Sequence, residues 1–310
     1  MPFKNQRVLD VHRKHRRNEK RLYGTAIEGT SQDKNEITIL FTVFVLTLFL
    51  IGNTLNRINV YMAIQTINTE GINYDYFREM IIPIDSKYYE NEDYKNSDNS
   101  KYDKYDYITL NTLLNQNGYS GAFNILPGNR RVLLRKLYEN SSFKELKGYI
   151  QAILEDVKKF PVDIQLLKND KVSYIDSWNY LRSYGGKRKH EGTDLMSADN
   201  LPEVIKVLSM TDGIVEKMGW LEKGGYRVGI RGNQGAYFYY AHLSSYAPEL
   251  KVGDAVKTGD FIGYMGDSGY GTEGTTGMFP VHLHVGIYVE TPFGELSVNP
   301  YLILKFLEKK

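Results

Sequence analysis

The sequence of 310 residues contains no cysteine, so disulfide bonds and thiolate metal ligands are both excluded. This composition is compatible with an exported protein that folds without oxidation. Proline is also sparse, with nine residues, and histidine occurs only six times. The formal net charge is only +2, so the composition gives no reason to expect nucleic acid as a partner.

One long uncharged segment lies near the N-terminus. Residues 37–56 carry no charge, and residues 37–51 are almost wholly apolar. A helix that crosses a bilayer needs about 20 such residues, so we predict a transmembrane signal-anchor at 37–56. The basic cluster before it predicts a cytoplasmic tail at 1–36, with the rest of the chain outside the cell membrane. The alternatives are a cleaved signal peptide and a buried helix of a soluble protein.

Between the apolar segment and residue 160, the sequence predicts two accessory regions. Residues 57–130 include a stretch rich in Tyr, Asp, Lys, Asn and Ser, which has little to bury against the entropy cost of ordering. We predict a partly disordered extracytoplasmic stalk there, with an aromatic wall-binding surface as the alternative. Residues 131–159 show apolar side chains at three- and four-residue spacing, which predicts a helical hairpin. The segment Asn140-Ser141-Ser142 interrupts this pattern and offers a helix N-cap.

From residue 160 onward the pattern becomes that of β-structure. Residues 226–231 and 236–242 flank a glycine-rich turn, as in a hairpin. Residues 281–289 alternate strictly, with apolar Val281, Leu283 and Val285 on one face and His282 and His284 on the other. We therefore predict a mainly β domain at 160–310 and consider the two imidazoles as the start of a metal site. A structural or surface role for such a histidine pair is the alternative.

Two further motifs contain histidine. His190 and Asp194 form a His-x-x-x-Asp pattern, and His242 lies in a Tyr-x-His-Leu pattern. Catalytic zinc commonly takes three protein ligands from histidine and carboxylate side chains and leaves a fourth position for water. Taken alone, each motif is also consistent with ordinary surface or buried side chains.

The three motifs, in this order, resemble the lysostaphin-like zinc endopeptidases of bacterial cell walls, which have a LytM-like peptidase domain. The resemblance extends to the glycine-spaced segment 253–263 and covers roughly residues 160–300. It implies an antiparallel β-sheet metallopeptidase domain, a duplicated hybrid motif or half-barrel. Segment 253–263 also resembles biotinyl and lipoyl carrier domains, but no lysine lies at a carrier-type hairpin tip.

The resemblance also implies roles for individual residues. His190, Asp194 and His284 would bind one Zn²⁺, and His242 and His282 would act on protons beside it. Tyr184 matches the position of a tyrosine that assists the oxyanion in many relatives. The segment 277–281 before the His-x-His pair, and the long loop 266–277, depart from the family pattern. These departures concern the choice of substrate more than metal binding.

The expected function is that of a membrane-anchored zinc metalloendopeptidase that hydrolyses amide bonds in peptidoglycan stem or cross-bridge peptides. The alternative is a zinc-binding scaffold or regulator of the same fold. Such a protein would bind a wall hydrolase or an extracytoplasmic partner protein, for example during sporulation.

Overall fold

The computed structural model describes residues 5–81, 102–118, 127–184 and 186–309. Side chains of the basic N-terminal segment up to residue 33 lie outside the described part, as do residues 82–101 and 119–126 of the predicted stalk. The chain divides into two compact units, Met1–Met62 and Ala63–Lys310.

The first unit consists of helix α1, which runs over Asn5–Glu70 and continues into the second unit. Its part from Lys34 onward is long and apolar enough to cross a membrane. The apolar side chains there are exposed, with 69% of Leu40 and 66% of Phe41 accessible. The threonine hydroxyls of this stretch are satisfied internally. Thr38, Thr42 and Thr47 each donate to the carbonyl oxygen four residues earlier, at 2.8 Å.

The described residues of the second unit form six further helices. They are α2 (Tyr74–Arg78), α3 (Lys104–Gln116), α4 (Pro127–Leu137), α5 (Ser141–Asp156), α6 (Gln165–Lys168) and α7 (Tyr301–Glu308). Helix α3 begins with a capping box between Asp103 and Asp106. Helices α4 and α5 fall largely within the segment predicted as a helical hairpin, and Asn140 caps α5 by accepting from the backbone N–H of Phe143.

Helix α3 lies within the segment predicted as the stalk. Leu110, Leu113 and Leu114 are fully buried, and α3 packs against both α4 and α5. The composition upstream of residue 107 suggested disorder, whereas the apolar residues that follow it supply a core for the helices. Residues 104–116 are therefore part of the compact unit that contains the sheet. The domain boundaries predicted from the sequence remain predictions.

The rest of the unit is antiparallel β-structure, as predicted. Its strands are β1 (Val172–Ser173), β2 (Leu181–Arg182), β3 (Arg188–Lys189), β4 (Thr193–Ser197), β5 (Lys206–Leu208), β6 (Gly213–Leu221), β7 (Gly225–Gly232), β8 (Tyr237–Tyr246), β9 (Ala255–Val256), β10 (Phe261–Met265), β11 (His282–Thr291) and β12 (Gly294–Val298). Ten form one sheet with the central order β1-β4-β11-β8-β7-β6-β9. Strand β10 pairs with β5 and β8, β12 pairs with β11, and β2 and β3 form a separate hairpin.

Strand β11 lies between β4 and β8 and determines where the site forms. Its predicted core face is confirmed, because Leu283, Val285 and Ile287 are fully buried. On the opposite face His284 is paired in register with Asp194 of β4 and with Ala241 of β8. Three strands therefore bring polar side chains together over a rigid apolar layer.

Candidate metal centre

Three side-chain atoms converge on one point above the sheet. His190 Nε2, Asp194 Oδ1 and His284 Nδ1 are each 3.0 Å from the other two. His190 is buried, and the other two are partly buried. These are the three ligands implied by the sequence resemblance.

The backbone positions each of these groups. Asp194 and His284 are directly opposite each other in the antiparallel pair β4–β11. His190 comes from the loop before β4. Its backbone N–H donates to the Tyr180 carbonyl at 2.8 Å, and its carbonyl accepts from the Asn179 N–H at 3.0 Å. The His190 Nδ1 group donates to the Ser177 carbonyl at 3.0 Å, so in the neutral ring Nε2 keeps a lone pair.

The donor set fits zinc. Neighbouring ligand atoms in a tetrahedral zinc site with bonds of about 2.0–2.1 Å are about 3.3 Å apart, close to the 3.0 Å separations found here. A nitrogen lone pair of His190 and a carboxylate oxygen face the same point as His284 Nδ1, an arrangement that a cation stabilises. The bond from His190 Nδ1 to a carbonyl is also the type of outer contact that fixes the tautomer of a zinc ligand.

Asp194 has a second partner outside the ligand triangle. Its Oδ2 atom accepts a hydrogen bond from Arg182 Nη2 at 2.5 Å. Burial raises the pKa of this carboxyl group, but its contacts with the His190 and His284 rings outweigh burial and hold the pKa below its usual range. The group is therefore ionised, and its charge favours a bound cation.

The two remaining site histidines lie beside this triangle. His282 Nε2 is 3.9 Å from Asp194 Oδ1, and the His242 and His282 ring centroids are 4.7 Å apart. His242 Nδ1 donates to the Ser268 carbonyl at 2.8 Å, and His282 Nδ1 donates to the Pro280 carbonyl at 2.7 Å. Burial lowers the pKa of both rings, that of His242 well below its usual value. Both rings are therefore neutral, with Nε2 available as a proton acceptor.

An unusual backbone conformation directs His242 into the site. Strict alternation along β8 would place His242 with Phe238 and Tyr240, which are buried in the core. Instead His242 has a φ of +63°, and the pairing of β7 with β8 is irregular between Tyr226 and Val228. Bulges of this kind re-aim side chains next to active sites.

Tyr184 does not line the cleft. Its ring stacks on Tyr270, with centroids 4.0 Å apart and planes within 2°. Tyr270 does line the cleft and lies edge-on to His242, with ring centroids 6.2 Å apart. The catalytic role predicted for Tyr184 remains a prediction, and Tyr270 is one of four tyrosines in the cleft lining.

The site opens into a cleft of about 760 Å³. Its lining includes all four site histidines and Asp194, together with aromatic and basic side chains. The basic ones are Arg182, Arg188, Lys189, Lys217, Lys223 and Arg227. Sequence reasoning missed these residues and Tyr270. Their types are common on protein surfaces, and only the pairing of the strands brings them together.

Comparisons with known proteins agree with this geometry. The model of "Peptidase family M23" matches residues 188–300. The L-Ala–D-Glu endopeptidase of Bacillus subtilis (strain 168) is 44% identical over 137 residues, which is 44% of this chain and 41% of that protein. Lysostaphin of Staphylococcus simulans is 31% identical over 137 residues, covering 41% of this chain and 25% of lysostaphin. The chain thus spans less than half the length of these two relatives.

A solved structure matches far more of the chain. The crystal structure of a candidate glycyl-glycine endopeptidase lytM from Ruminococcus gnavus ATCC 29149 is 42% identical, with a TM-score of 0.62. The match covers 80% of this chain and 96% of that one. The similarity therefore reaches well beyond the segment that the family model covers.

Proposed function

Because this chain belongs to peptidase family M23, we propose that it is a zinc metalloendopeptidase that hydrolyses amide bonds in peptidoglycan peptides. The observation that supports this most is the triangle of His190, Asp194 and His284 ligand atoms, with the neutral His242 and His282 beside it. The names of the relatives point to two kinds of bond. One is the L-Ala–D-Glu bond of a stem peptide, and the other is the glycyl-glycine bond of a cross-bridge.

His190, Asp194 and His284 would hold the zinc. When bound, zinc lowers the pKa of water to about 7 and polarises the carbonyl of the bond to be cut. The chain itself supplies proton transfer. His282 Nε2, adjacent to Asp194 Oδ1, accepts a proton from the attacking water and returns it to the leaving amine. His242 lies against His282 with the same Nδ1 anchoring, so its Nε2 faces the reacting groups.

Wall digestion by the zinc-loaded full chain in detergent tests this function. We expect the protein to release peptides with new amino termini from purified peptidoglycan, as detected by mass spectrometry. Replacement His282→Ala should lower the rate about 10²- to 10⁴-fold, the usual contribution of a general acid–base group. The variant should keep its zinc because His282 is not a ligand. Full function of this variant, or no release by the parent protein, would favour a scaffold instead.

We further infer that α1 anchors the protein in the bacterial cell membrane, with the N-terminus in the cytoplasm. Exposed Phe41, Phe44 and Phe49 form a surface that suits lipid. The Thr42 and Thr47 hydroxyls are bonded to carbonyls of the same helix, so these donors can enter hydrocarbon paired. In intact cells, protease added outside should remove the peptidase unit while a tag at the N-terminus stays protected. A soluble protein that starts near residue 65 would contradict the anchor.

A further inference from the structure

Two guanidinium groups in the cleft lack an acidic partner. Within the described part of the chain, neither Arg188 nor Arg227 forms an ion pair, and the Nε atom of each is buried without a hydrogen-bond acceptor. Arg188 Nη2 donates to the Tyr270 hydroxyl at 3.2 Å. A buried donor without an acceptor is costly, so this arrangement favours an acceptor from outside the chain, and the positive charge of both groups favours an anionic one.

Both arginines are near the metal centre. Across the sheet, His284 pairs with Ala241, and Arg227 lies at the irregularity opposite Ala241 and His242. Two strand spacings thus separate the His284 and Arg227 backbones, about 9–10 Å. Arg188, Arg227 and Tyr239 all line this cleft. The Tyr239 ring centroid is 5.9 Å from that of His284.

The acidic groups of the cleft are already engaged elsewhere. Asp194 belongs to the ligand set, Glu191 pairs with Arg78 at 2.8 Å, and Glu295 is 3.8 Å from Arg231 outside the lining. Lys189 and Lys223 also line the cleft, and no described acid pairs with them. The cleft therefore presents an excess of positive charge to its substrate.

We propose that Arg188 and Arg227 bind a free carboxylate of the substrate, within about three residues of the bond that is cut. An extended peptide advances about 3.3 Å per residue, so about three residues span the 9–10 Å between the His284 and Arg227 backbones. Guanidinium groups recognise carboxylates through paired N–H donors. The protein would then select acidic peptides over uncharged ones such as oligoglycine. This inference rests on the proposed peptidase function.

The test compares native peptidoglycan with peptidoglycan whose carboxyl groups have been converted to amides with carbodiimide and ammonia. We expect the zinc-loaded full chain to release peptides from native walls roughly ten- to a hundredfold faster, the range for hydrogen bonds to a charged group. Arg227→Met and Arg188→Met should bring that ratio close to one while zinc content stays the same, and Arg227→Lys should keep part of it. In the native digest, fragment masses should place a free carboxylate near each new terminus.

The control is Arg135→Met, which removes an exposed arginine on α4 that does not line the cleft and should leave the ratio intact. A lysozyme digest checks that amidated walls remain accessible. Equal release from native and amidated walls by the parent protein would overturn the carboxylate site and leave the peptidase function standing. An equal loss on both walls in Arg227→Met would also overturn it. Release from neither wall would refute the peptidase function and this inference with it.

Discussion

The imidazole rings of His190, His242 and His282 share one feature. In each, Nδ1 donates to a backbone carbonyl, of Ser177, Ser268 and Pro280 respectively. A ring held in this way keeps one tautomer and one orientation, and its Nε2 atom faces the reaction centre. His284 differs because its Nδ1 atom is a ligand, so its ring must be held by packing.

The backbone of Gly192 packs closely against the His284 ring. A Cβ atom at Gly192 would lie 2.5 Å from both His284 Cε1 and the Val285 carbonyl oxygen. Gly192→Ala should displace the His284 ring and lower zinc affinity about 10- to 100-fold, as outer contacts of metal ligands do. Titration of zinc against a competing chelator measures this.

Gly148→Ala is the matched control, because nothing lies within 4 Å of a Cβ at that helical position. It should leave zinc affinity unchanged and stabilise α5 slightly. Unchanged zinc affinity in Gly192→Ala would show that His284 does not depend on this contact.

Helix α2 supports the loop that carries the Ser177 carbonyl. Just after α2, Glu79 Oε1 accepts from Asn179 Nδ2 at 2.8 Å and from Trp178 Nε1 at 3.2 Å. The neighbouring Arg78 donates to the Ser297 carbonyl at 3.0 Å and ties α2 to β12. Helix α2 and Glu79 thus fix the position of the His190 ring, although they precede this residue by more than a hundred positions in the sequence.

Glu79→Ala should therefore weaken zinc binding by up to about tenfold, since it acts one contact further from the metal than Ser177 does. Glu79→Gln should restore affinity, because its amide oxygen can accept the same two hydrogen bonds. The same chelator titration gives both values. If Glu79→Ala unfolds the protein no more easily and binds zinc as tightly as the parent, the loop holds itself in place without α2.

The elements differ in how well the sequence predicts them. Strand β11 alternates apolar and polar residues, so its sequence gives the core face and the two site imidazoles directly. Helix α3 is buried on nearly every side, from Tyr105 to Leu114, and so shows no amphipathic stripe. His242 was found through its motif, whereas alternation along β8 would have placed it in the core. The basic cleft residues come from four strands and the β6–β7 turn, and only strand pairing reveals them.

At the scale of the whole molecule, the helices and the sheet of unit Ala63–Lys310 share their hydrogen bonding. Asp156 at the end of α5 is buried, and its carboxylate accepts from the backbone N–H of Gln234 at 2.9 Å and of Ala236 at 3.1 Å. Gln234 and Ala236 lie in the turn between β7 and β8. Gly232 leaves the space that the Asp156 side chain occupies, because a Cβ there would lie 2.3 Å from it.

A fragment starting at residue 160, the domain boundary predicted from the sequence, should therefore be less stable than one covering residues 63–310. Loss of the two hydrogen bonds that Asp156 accepts should lower the free energy of unfolding by about 3 kcal/mol, at about 1.5 kcal/mol each. Lost apolar contacts would lower it further. The melting temperature should fall by at least about 6 °C, measured by thermal unfolding with zinc present in excess. Asp156→Ala in the longer fragment separates the hydrogen-bond part of this loss from the packing part. Equal melting temperatures for the two fragments would mean that the sheet folds independently and that the helices only rest on it.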